Sequence, residues 1–400
     1  MSLTSPIAFV LGIGWLCLAA QLVAALRFAR RPLPAAVQPA AVSVLKPLHG
    51  AEPGLYENLR SFVEQDHTAV QPGVRPGVRP AVQPAVQPAV QIVLGVNHPE
   101  DGALEAARDL IRDFPAAEIA LVVDRRIRGS NQKVANLENM LGAARHDILV
   151  LADSDMRVDR RYLAAVAAPL GDARVGVVTC LYKGVSTGGL WSDLGALQIN
   201  FGFLPNALLG DALGVGGGCF GATIALRRAT LRRIGGFARV RDELADDQRI
   251  GDAVRAQGLA VVLSPYVVEA RVWEPSLAAL WRHELRWART VRGIAPIGFA
   301  GSAATHPLAI ALLAAGIAGF GSTAGVLLAA TCLLRWAAAG VMARAVGLPM
   351  RRLWLLPLRD LLSFAVFVAS FFGRRVSWRD QNLYVEPNGR MTVVDGEKAL

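Results

Sequence analysis

The sequence predicts an α/β domain, a mostly parallel sheet flanked by helices, carried between N- and C-terminal membrane helices. Three observations predict this. From Ala41 onward, short apolar runs alternate with amphipathic stretches, the pattern of strand, helix and strand in repetition. The chain is 53% hydrophobic and only 18% charged over 400 residues, and the apolar excess collects at its two ends. Arginines stand directly beside those ends, where cations favour anionic headgroups and the cytoplasmic side. On this reading residues 1–31 are an N-terminal anchor and 41–300 the sheet domain. Residues 301–375 form further membrane segments and 376–400 a polar tail.

Taken in order, Ile7 to Leu26 has the length of a membrane helix, which needs roughly 20 apolar residues. Arg27, Arg30 and Arg31 follow it and place the next segment in the cytoplasm. A cleaved signal peptide would carry its basic residues before the apolar run, so an anchor fits better. Val42–Leu45, Gln91–Val96, Ile119–Val123, Ile148–Ala152 and Val175–Leu181 read as buried strands. Leu55, Leu59, Phe62 and Val63 recur at helical spacing, as do Val134, Leu137, Met140 and Leu141. Between Ala69 and Gln91 a four-residue unit repeats with proline at 72, 76, 80, 84 and 88. Proline at that density forbids helix and ladder, so the segment reads as an inserted extended loop. Beyond residue 300, His306 to Trp336 forms either one helix or a helical hairpin. Leu361 to Phe372 is shorter than a span unless Trp354 to Leu358 is included, and Arg359 and Asp360 interrupt it, which suggests an interfacial or re-entrant segment. The tail from Val376 is polar, with a turn at Pro387-Asn388-Gly389.

The net charge of +10 comes with no nucleic-acid recognition motif, so it points to a membrane surface and not to nucleic acid. Cys17, Cys180, Cys219 and Cys332 are far apart and have no metal-ligand spacing; they read as small hydrophobes in a reducing compartment.

Open parallel sheets bind ligands beyond the carboxyl ends of their strands, and the acidic motifs of this chain follow its apolar runs. Ile148-Leu-Val-Leu-Ala-Asp153-Ser-Asp155 ends a buried strand in two carboxylates one residue apart. On an extended strand these share a face, so both reach one divalent cation or its substrate. A solvated turn with helix-capping aspartates is the alternative. Asp246 and Asp247 form a second acidic site at the start of a helix running to Gln257. Dipole and capping effects explain one aspartate there, whereas a pair suits a general base for an acceptor hydroxyl. In Trp281-Arg-His-Glu-Leu-Arg286-Trp287-Ala-Arg289, Arg286 can hold diphosphate oxygens and Trp287 offers a flat apolar face. An amphipathic helix at the membrane surface would have the same composition. Gly214 to Thr223 lacks the Lys-Ser/Thr ending of a phosphate loop and reads as a tight segment lining a substrate.

Together and in this order these pieces resemble the ceramide glucosyltransferase-like family, glycosyltransferase family 21, and look closest to its bacterial hopanoid-biosynthesis branch. The resemblance runs from about Val42 to Arg292. Val42-Ser-Val-Leu-Lys-Pro47-Leu is similar to the family's opening strand, and Gly129-Ser-Asn131-Gln-Lys133 to its G-x-N-x-K segment. Asp153 falls on the second family aspartate, Asp247 on the third, and Arg286-Trp287 on the (Q/R)-x-x-R-W signature. The first family aspartate falls on His98, so either Glu100 or Asp101 contacts the nucleotide base or that contact is weaker here. The first signature position is His283.

The resemblance implies a GT-A type domain facing the cytoplasm at the inner membrane, using a UDP-sugar with Mg²⁺ or Mn²⁺. Asn131, Lys133, Asp153, His283, Arg286 and Trp287, with Glu100 or Asp101, would contact the donor. Asp153 and Asp155 would hold the metal, and Asp247 would be the base of an inverting transfer to a membrane lipid hydroxyl. For that branch the donor implied is UDP-N-acetylglucosamine and the acceptor bacteriohopanetetrol, with glucose transfer to ceramide or another lipid as the near alternative. A processive polysaccharide synthase shares these motifs but needs more membrane helix for its channel. A binding-only membrane protein would be expected to lose the carboxylates, and Asp153, Asp155 and Asp247 are all present.

Overall fold

The computed structural model describes residues 4–34, 40–67, 90–215, 217–378, 381–386 and 389–394. The proline repeat and Pro387-Asn388 lie outside the described residues. Two compact units emerge: residues 32–182 with 218–271, and residues 1–31 with 183–217 and 272–400.

The chain enters through helix α1 (Thr4–Ala29). It then runs β1 (Val42–Pro47), α2 (Leu55–Val63), β2 (Val90–Val96), α3 (Ala103–Asp113) and β3 (Glu118–Val123). Next come α4 (Gln132–Met140), β4 (Ile148–Leu151), β5 (Met156–Arg157), α5 (Tyr162–Ala167) and β6 (Val175–Ser186). Helix α6 (Leu190–Gln198) passes through a π-helical turn, Ile199–Phe203, into α7 (Leu204–Leu213). The chain returns to the sheet with β7 (Ile224–Arg227), α8 (Arg228–Arg233), α9 (Asp246–Ala256) and β8 (Ala260–Val272). It continues with α10 (Leu277–Ile294), α11 (Pro296–Gly301), α12 (Pro307–Ile317), α13 (Ser322–Val346) and α14 (Leu356–Ser370). Strands β9 (Arg375–Trp378), β10 (Gln381–Val385) and β11 (Met391–Val393) follow.

The first unit is built on an eight-stranded sheet of order β3-β2-β1-β4-β7-β6-β8-β5. Strands β3, β2, β1 and β4 are mutually parallel, and β7 runs antiparallel to both β4 and β6. The α/β class expected from the sequence is what forms, because the parallel strands are apolar on both faces and helices cover both. Val44, Ile92, Leu94 and Val150 point to one face with Leu59 and Phe62 of α2, Leu110 of α3 and Tyr162 of α5. Leu45, Val93, Leu149 and Leu151 point to the other with Leu137 and Met140 of α4 and Ile250 and Val254 of α9. The register pairs Leu45 of β1 with Leu151 of β4, and Ala152 N donates to Leu45 O at 3.2 Å. Lys46 and Asp153 therefore leave neighbouring strand ends side by side. Strands β7 and β8 escape sequence reading: β7 is four residues after a glycine run, and Pro265 interrupts the apolar pattern of β8.

Among the described residues, the second unit holds three helical segments long and apolar enough to cross a membrane: Leu11–Ala29, Ser322–Val346 and Leu353–Ser370. A fourth span results if Pro296–Thr305 and Pro307–Ile317, bent by 66°, count as one. His306 to Trp336 is broken into α12 and α13 around Gly319 and Gly321, as a hairpin reading requires. Arg359 and Asp360 do not interrupt the last helix as expected. Both turn inward, Arg359 onto both Glu284 oxygens at 2.8 and 2.7 Å and Asp360 onto Arg335 at 2.8 and 3.0 Å. Paired charges of this kind are tolerated within a bundle, whereas lone ones are not. The polar tail contributes a three-stranded antiparallel sheet, β11-β10-β9.

Gly95 of β2 lies directly under α4, and a side-chain carbon there would collide with Asn136 Oδ1 and the Met140 side chain. Gly95→Ala should lower stability by about 1–3 kcal/mol. The expected readout is a lower thermal-unfolding midpoint of the detergent-held protein; an unchanged midpoint would show that α4 can shift away from the sheet.

Candidate active site

At the carboxyl ends of β1 and β4 the chain gathers Lys46, Asp153, Asp155, Lys133, Asp246 and Asp247, all in the first unit. The Asp153-Ser154-Asp155 segment is not the strand end expected. β4 stops at Leu151, and the two aspartates sit on the turn that leads into β5. The turn separates their surroundings: Asp153 faces Lys133, whereas Asp155 lies among Lys46, Glu52 and Asp153.

That turn is held from several sides. Lys46, fully buried at the end of β1, donates from Nζ to the Asp153 carbonyl and sits 3.9 Å from the centroid of the Phe62 ring. Asn58 Nδ2 donates to Ser154 O at 3.4 Å, and Ser154 Oγ donates to Glu52 Oε2 at 3.0 Å. Arg271 N donates to Asp155 O at 2.8 Å. Burial lowers the Lys46 ammonium to about 7, against the pull of Asp155, Asp153 and Glu52. Burial also raises the Asp155 carboxyl to about 8, with Glu52 and Asp153 adding to it.

Lys133 joins the acidic turn to α9. Its Nζ lies 2.7 Å from Asp153 Oδ1 and 3.7 Å from Asp246 Oδ2. Burial works against its charge, but Asp153, Asp246 and Asp247 outweigh burial and hold the ammonium above its ordinary value. The G-x-N-x-K segment places this lysine through its own backbone needs. Gly129 adopts φ 78° where a side chain would strike the Arg241 carbonyl, and Ser130 N and Oγ donate to Asp242 Oδ1 at 2.9 and 3.1 Å. Asn131 caps α4, accepting from Val134 N at 3.0 Å and donating to Glu243 O at 2.8 Å and Asp246 Oδ1 at 3.4 Å. Asn131, expected at the donor, is thus fully buried with its amide used inside the protein.

The acidic pair on α9 divides. Asp246 is buried, and that burial, with Asp153 adding, raises its carboxyl while Lys133 and Asn131 pull the other way. Asp247 is half-buried; its Oδ2 accepts from Gly221 N and its Oδ1 from Gln248 N, both at 2.8 Å. Burial and then Asp246 raise Asp247 to about 6. Gly221 closes the cluster: a side-chain carbon there would stand 3.2 Å from Lys133 Nζ and 3.3 Å from both Asp153 Oδ2 and Asp247 Oδ2. Sequence reading took Gly214 to Thr223 only as a lining segment and missed Lys46 and Glu52. The signal for Lys46 was a lysine ending an apolar strand.

In the loop after β2, His98 and Glu100 are exposed. Asp101 is committed to backbone, its Oδ1 accepting from Gly50 N at 2.8 Å and Ala103 N at 2.9 Å. Glu100 is therefore the carboxylate of this loop left facing solvent. His283, Arg286 and Trp287 are carried on α10 of the second unit. His283 Nδ1 lies 2.7 Å from Glu274 Oε1 and its ring centroid 4.4 Å from that of Trp287. Burial lowers the His283 imidazole, with Glu274 opposing. Arg286 lies over the Trp378 ring, 5.6 Å from its centroid.

Among the described residues, no three His, Cys, Asp or Glu side chains form an all-protein metal cage. A cation that keeps phosphate and water in its shell needs only one or two carboxylates. Asp153 and Asp155 supply that number of carboxylates on one turn, where burial first, then Glu52 and Asp153, raises the Asp155 carboxyl.

Comparison with known proteins agrees with this architecture. The family model described as "Glycosyl transferase family 21" matches residues 7–71 and 85–391. "Ceramide glucosyltransferase 1" of Caenorhabditis elegans is 23% identical over 227 residues, which covers 56% of this chain and 44% of that relative. The chain thus spans less than half the length of the curated relative it matches. Among solved structures, a mannosyltransferase from Pyrobaculum calidifontis in complex with GDP-Man and Mn2+ is similar in fold. Its TM-score is 0.54 at 20% identity, over 92% of this chain and 99% of that one.

Lys133 balances the carboxylates around it, so Lys133→Met should destabilise the first unit by about 3 kcal/mol through the buried charge left behind. Asp246 already has a raised folded-state pKa, which costs stability once pH rises through it, and loss of the lysine raises it further. The stability deficit should therefore shrink as pH is lowered. Thermal unfolding of parent and variant across pH checks this, and a deficit that grows toward acid would contradict the charge balance.

Proposed function

The chain belongs to glycosyltransferase family 21 and has a GT-A type fold, and from that premise we propose that it is an inverting membrane enzyme moving a sugar from a UDP-sugar to a lipid hydroxyl. The observation that carries this reading is Asp247. It is half-buried, fixed by two backbone N–H groups, poised at about 6, and set beside the Lys133–Asp153 pair. A carboxylate so placed is ionised at neutral pH and basic enough to accept a proton in the transition state.

In the proposed reaction Asp247 takes the proton of the acceptor hydroxyl as its oxygen attacks the anomeric carbon. The bond from that carbon to the diphosphate oxygen breaks on the opposite face, and its electron pair leaves with UDP. The sugar is transferred with inverted configuration. Asp153 and Asp155 would hold Mg²⁺ or Mn²⁺, which when bound offsets charge on the departing diphosphate. Lys133 keeps Asp153 in position, Arg286 and Trp287 supply the signature's diphosphate contacts, and Glu100 faces the nucleotide base. Asp246, sealed beneath Lys133, sets the electrostatics of Asp247 rather than meeting substrate.

The acceptor follows from the setting. Helices long and apolar enough to span a membrane stand toward both ends of the chain, and Arg27 in the last turn of α1, with Arg30 and Arg31 after it, favours a catalytic unit on the cytoplasmic face of the inner membrane. A lipid hydroxyl presented at that surface suits this arrangement. We assign N-acetylglucosamine transfer from UDP-N-acetylglucosamine to bacteriohopanetetrol as the reaction, from the sequence resemblance to the hopanoid branch. Glucose transfer to ceramide is the second reading, favoured by the match to the nematode protein.

Purified protein with Mn²⁺ should release UDP only when donor and lipid acceptor are both present. UDP-N-acetylglucosamine with bacteriohopanetetrol should support turnover; turnover with UDP-glucose and ceramide instead would keep the mechanism and change the substrate. Asp247→Asn should lower kcat by about 10²–10⁴-fold while leaving UDP binding near the parent value. Because the base must be ionised, kcat/KM should fall about tenfold per pH unit below about 6, the Asp247 value. UDP binding without turnover on any pair would leave a binding-only protein.

A further inference from the structure

Thr179 of β6 pairs with Ile224, the first residue of β7, and residues 219–221 lie just before that pair. There a side chain holds the chain in place of the ladder. Phe220 N donates to Thr179 Oγ1 at 2.8 Å, and Thr179 Oγ1 donates to Phe220 O at 3.2 Å. Phe220 O also accepts from Thr223 N at 3.2 Å, which closes the turn into β7. The buried Cys219 thiol meets the same hydroxyl. One fully buried hydroxyl thus clasps both backbone groups of Phe220. The next N–H along the chain, that of Gly221, donates to Asp247 Oδ2 at 2.8 Å. At the other edge of the loop, Cys219 N donates to Gln248 Oε1 at 3.4 Å, and Gln248 N to Asp247 Oδ1 at 2.8 Å. The loop is therefore tied to β6 on one side and to the start of α9 on the other, and all of these residues belong to the first unit.

We infer that Thr179 is a positioning residue for Asp247, and that it acts through the Phe220–Gly221 peptide. The two bonds on Asp247 differ in reach. The one from Gln248 N is local and fixes the carboxylate only against its own helix. The one from Gly221 N fixes it against the sheet, and the Thr179 hydroxyl decides where that N–H points. A carboxylate has about four lone-pair sites, so two N–H groups leave the others aimed in a set direction. A base must meet its proton within hydrogen-bond reach, and a rotated carboxylate loses that reach without losing its basicity. The inference rests on the proposed role of Asp247 as base and adds the residue that aims it.

The test uses the full chain in detergent with Mn²⁺. Thr179→Val keeps the branched shape and removes the hydroxyl; Thr179→Ser keeps the hydroxyl. Hydrogen exchange of residues 219–222, read by mass spectrometry, reports the clasp without turnover. It should be about tenfold faster in Thr179→Val and parental in Thr179→Ser. Thr179→Val should lower kcat about five- to twentyfold, with donor KM and UDP affinity within about twofold of the parent. Thr179→Ser should bring kcat back to within about threefold of the parent. In an Asp247→Asn background Thr179→Val should cost nothing further, because Thr179 acts through Asp247. Retained UDP affinity shows that the fold survives; if Thr179→Val loses it, Thr179→Ala is measured under the same expectations. Parental exchange or parental kcat in Thr179→Val would overturn the inference. So would equal losses in the Val and Ser variants, or an undiminished loss in the Asp247→Asn background. Parental kcat in Asp247→Asn alone would instead overturn the base role of Asp247, with exchange still deciding the clasp.

Discussion

One buried ammonium makes the candidate active site possible. Three carboxylates cannot stand together in a partly dry cleft unless something of opposite charge stands among them, and Lys133 does so from the first turn of α4. It pairs with Asp153 on the β4 turn and reaches Asp246 at the start of α9. The sequence separation between these groups is large, so the cluster exists only when the whole first unit is folded. The G-x-N-x-K segment serves this end: Gly129, Ser130 and Asn131 are bonded to residues 241–246, and Lys133 follows on the helix that Asn131 caps.

Around that pair the charges are sorted by burial. Asp246 is sealed and tunes its neighbour, whereas Asp247 stays partly open and keeps two backbone donors. The second cation, Lys46, serves Asp155 as Lys133 serves Asp153, yet it binds the turn through a backbone carbonyl. The acidic turn is thereby held in place, with Asp153 paired to Lys133 and burial raising the Asp155 carboxyl. The second unit handles its charges differently. Arg359 with Glu284 and Arg335 with Asp360 are closed bidentate pairs that let polar residues sit inside apolar helices.

The sequence made the parallel strands, their covering helices and the acidic motifs legible because each is a local pattern: an apolar run, a helical period, a carboxylate where the run ends. What stayed hidden depends on partners far along the chain. Asp153 and Asp155 look like strand neighbours in the sequence, since nothing local says that β4 stops at Leu151 and turns. The family resemblance implies a donor contact for Asn131, and its bonds to Glu243 and Asp246, more than a hundred residues away, leave no local trace in the sequence. Arg359 and Asp360 looked like interruptions of a span because Glu284 and Arg335 lie on other helices. Strand β8 was obscured by Pro265, and the tail was taken for a plain polar end although it folds into a small sheet against α10.

The central claim is a single displacement driven by Asp247 on a donor held at the Lys133–Asp153 pair. It is tested most directly by the anomeric configuration of freshly formed glycolipid, read by proton NMR before any equilibration. An α-linked UDP-sugar should give the β-glycoside. An α-glycoside would require a second displacement or front-face attack, and would contradict the role given to Asp247.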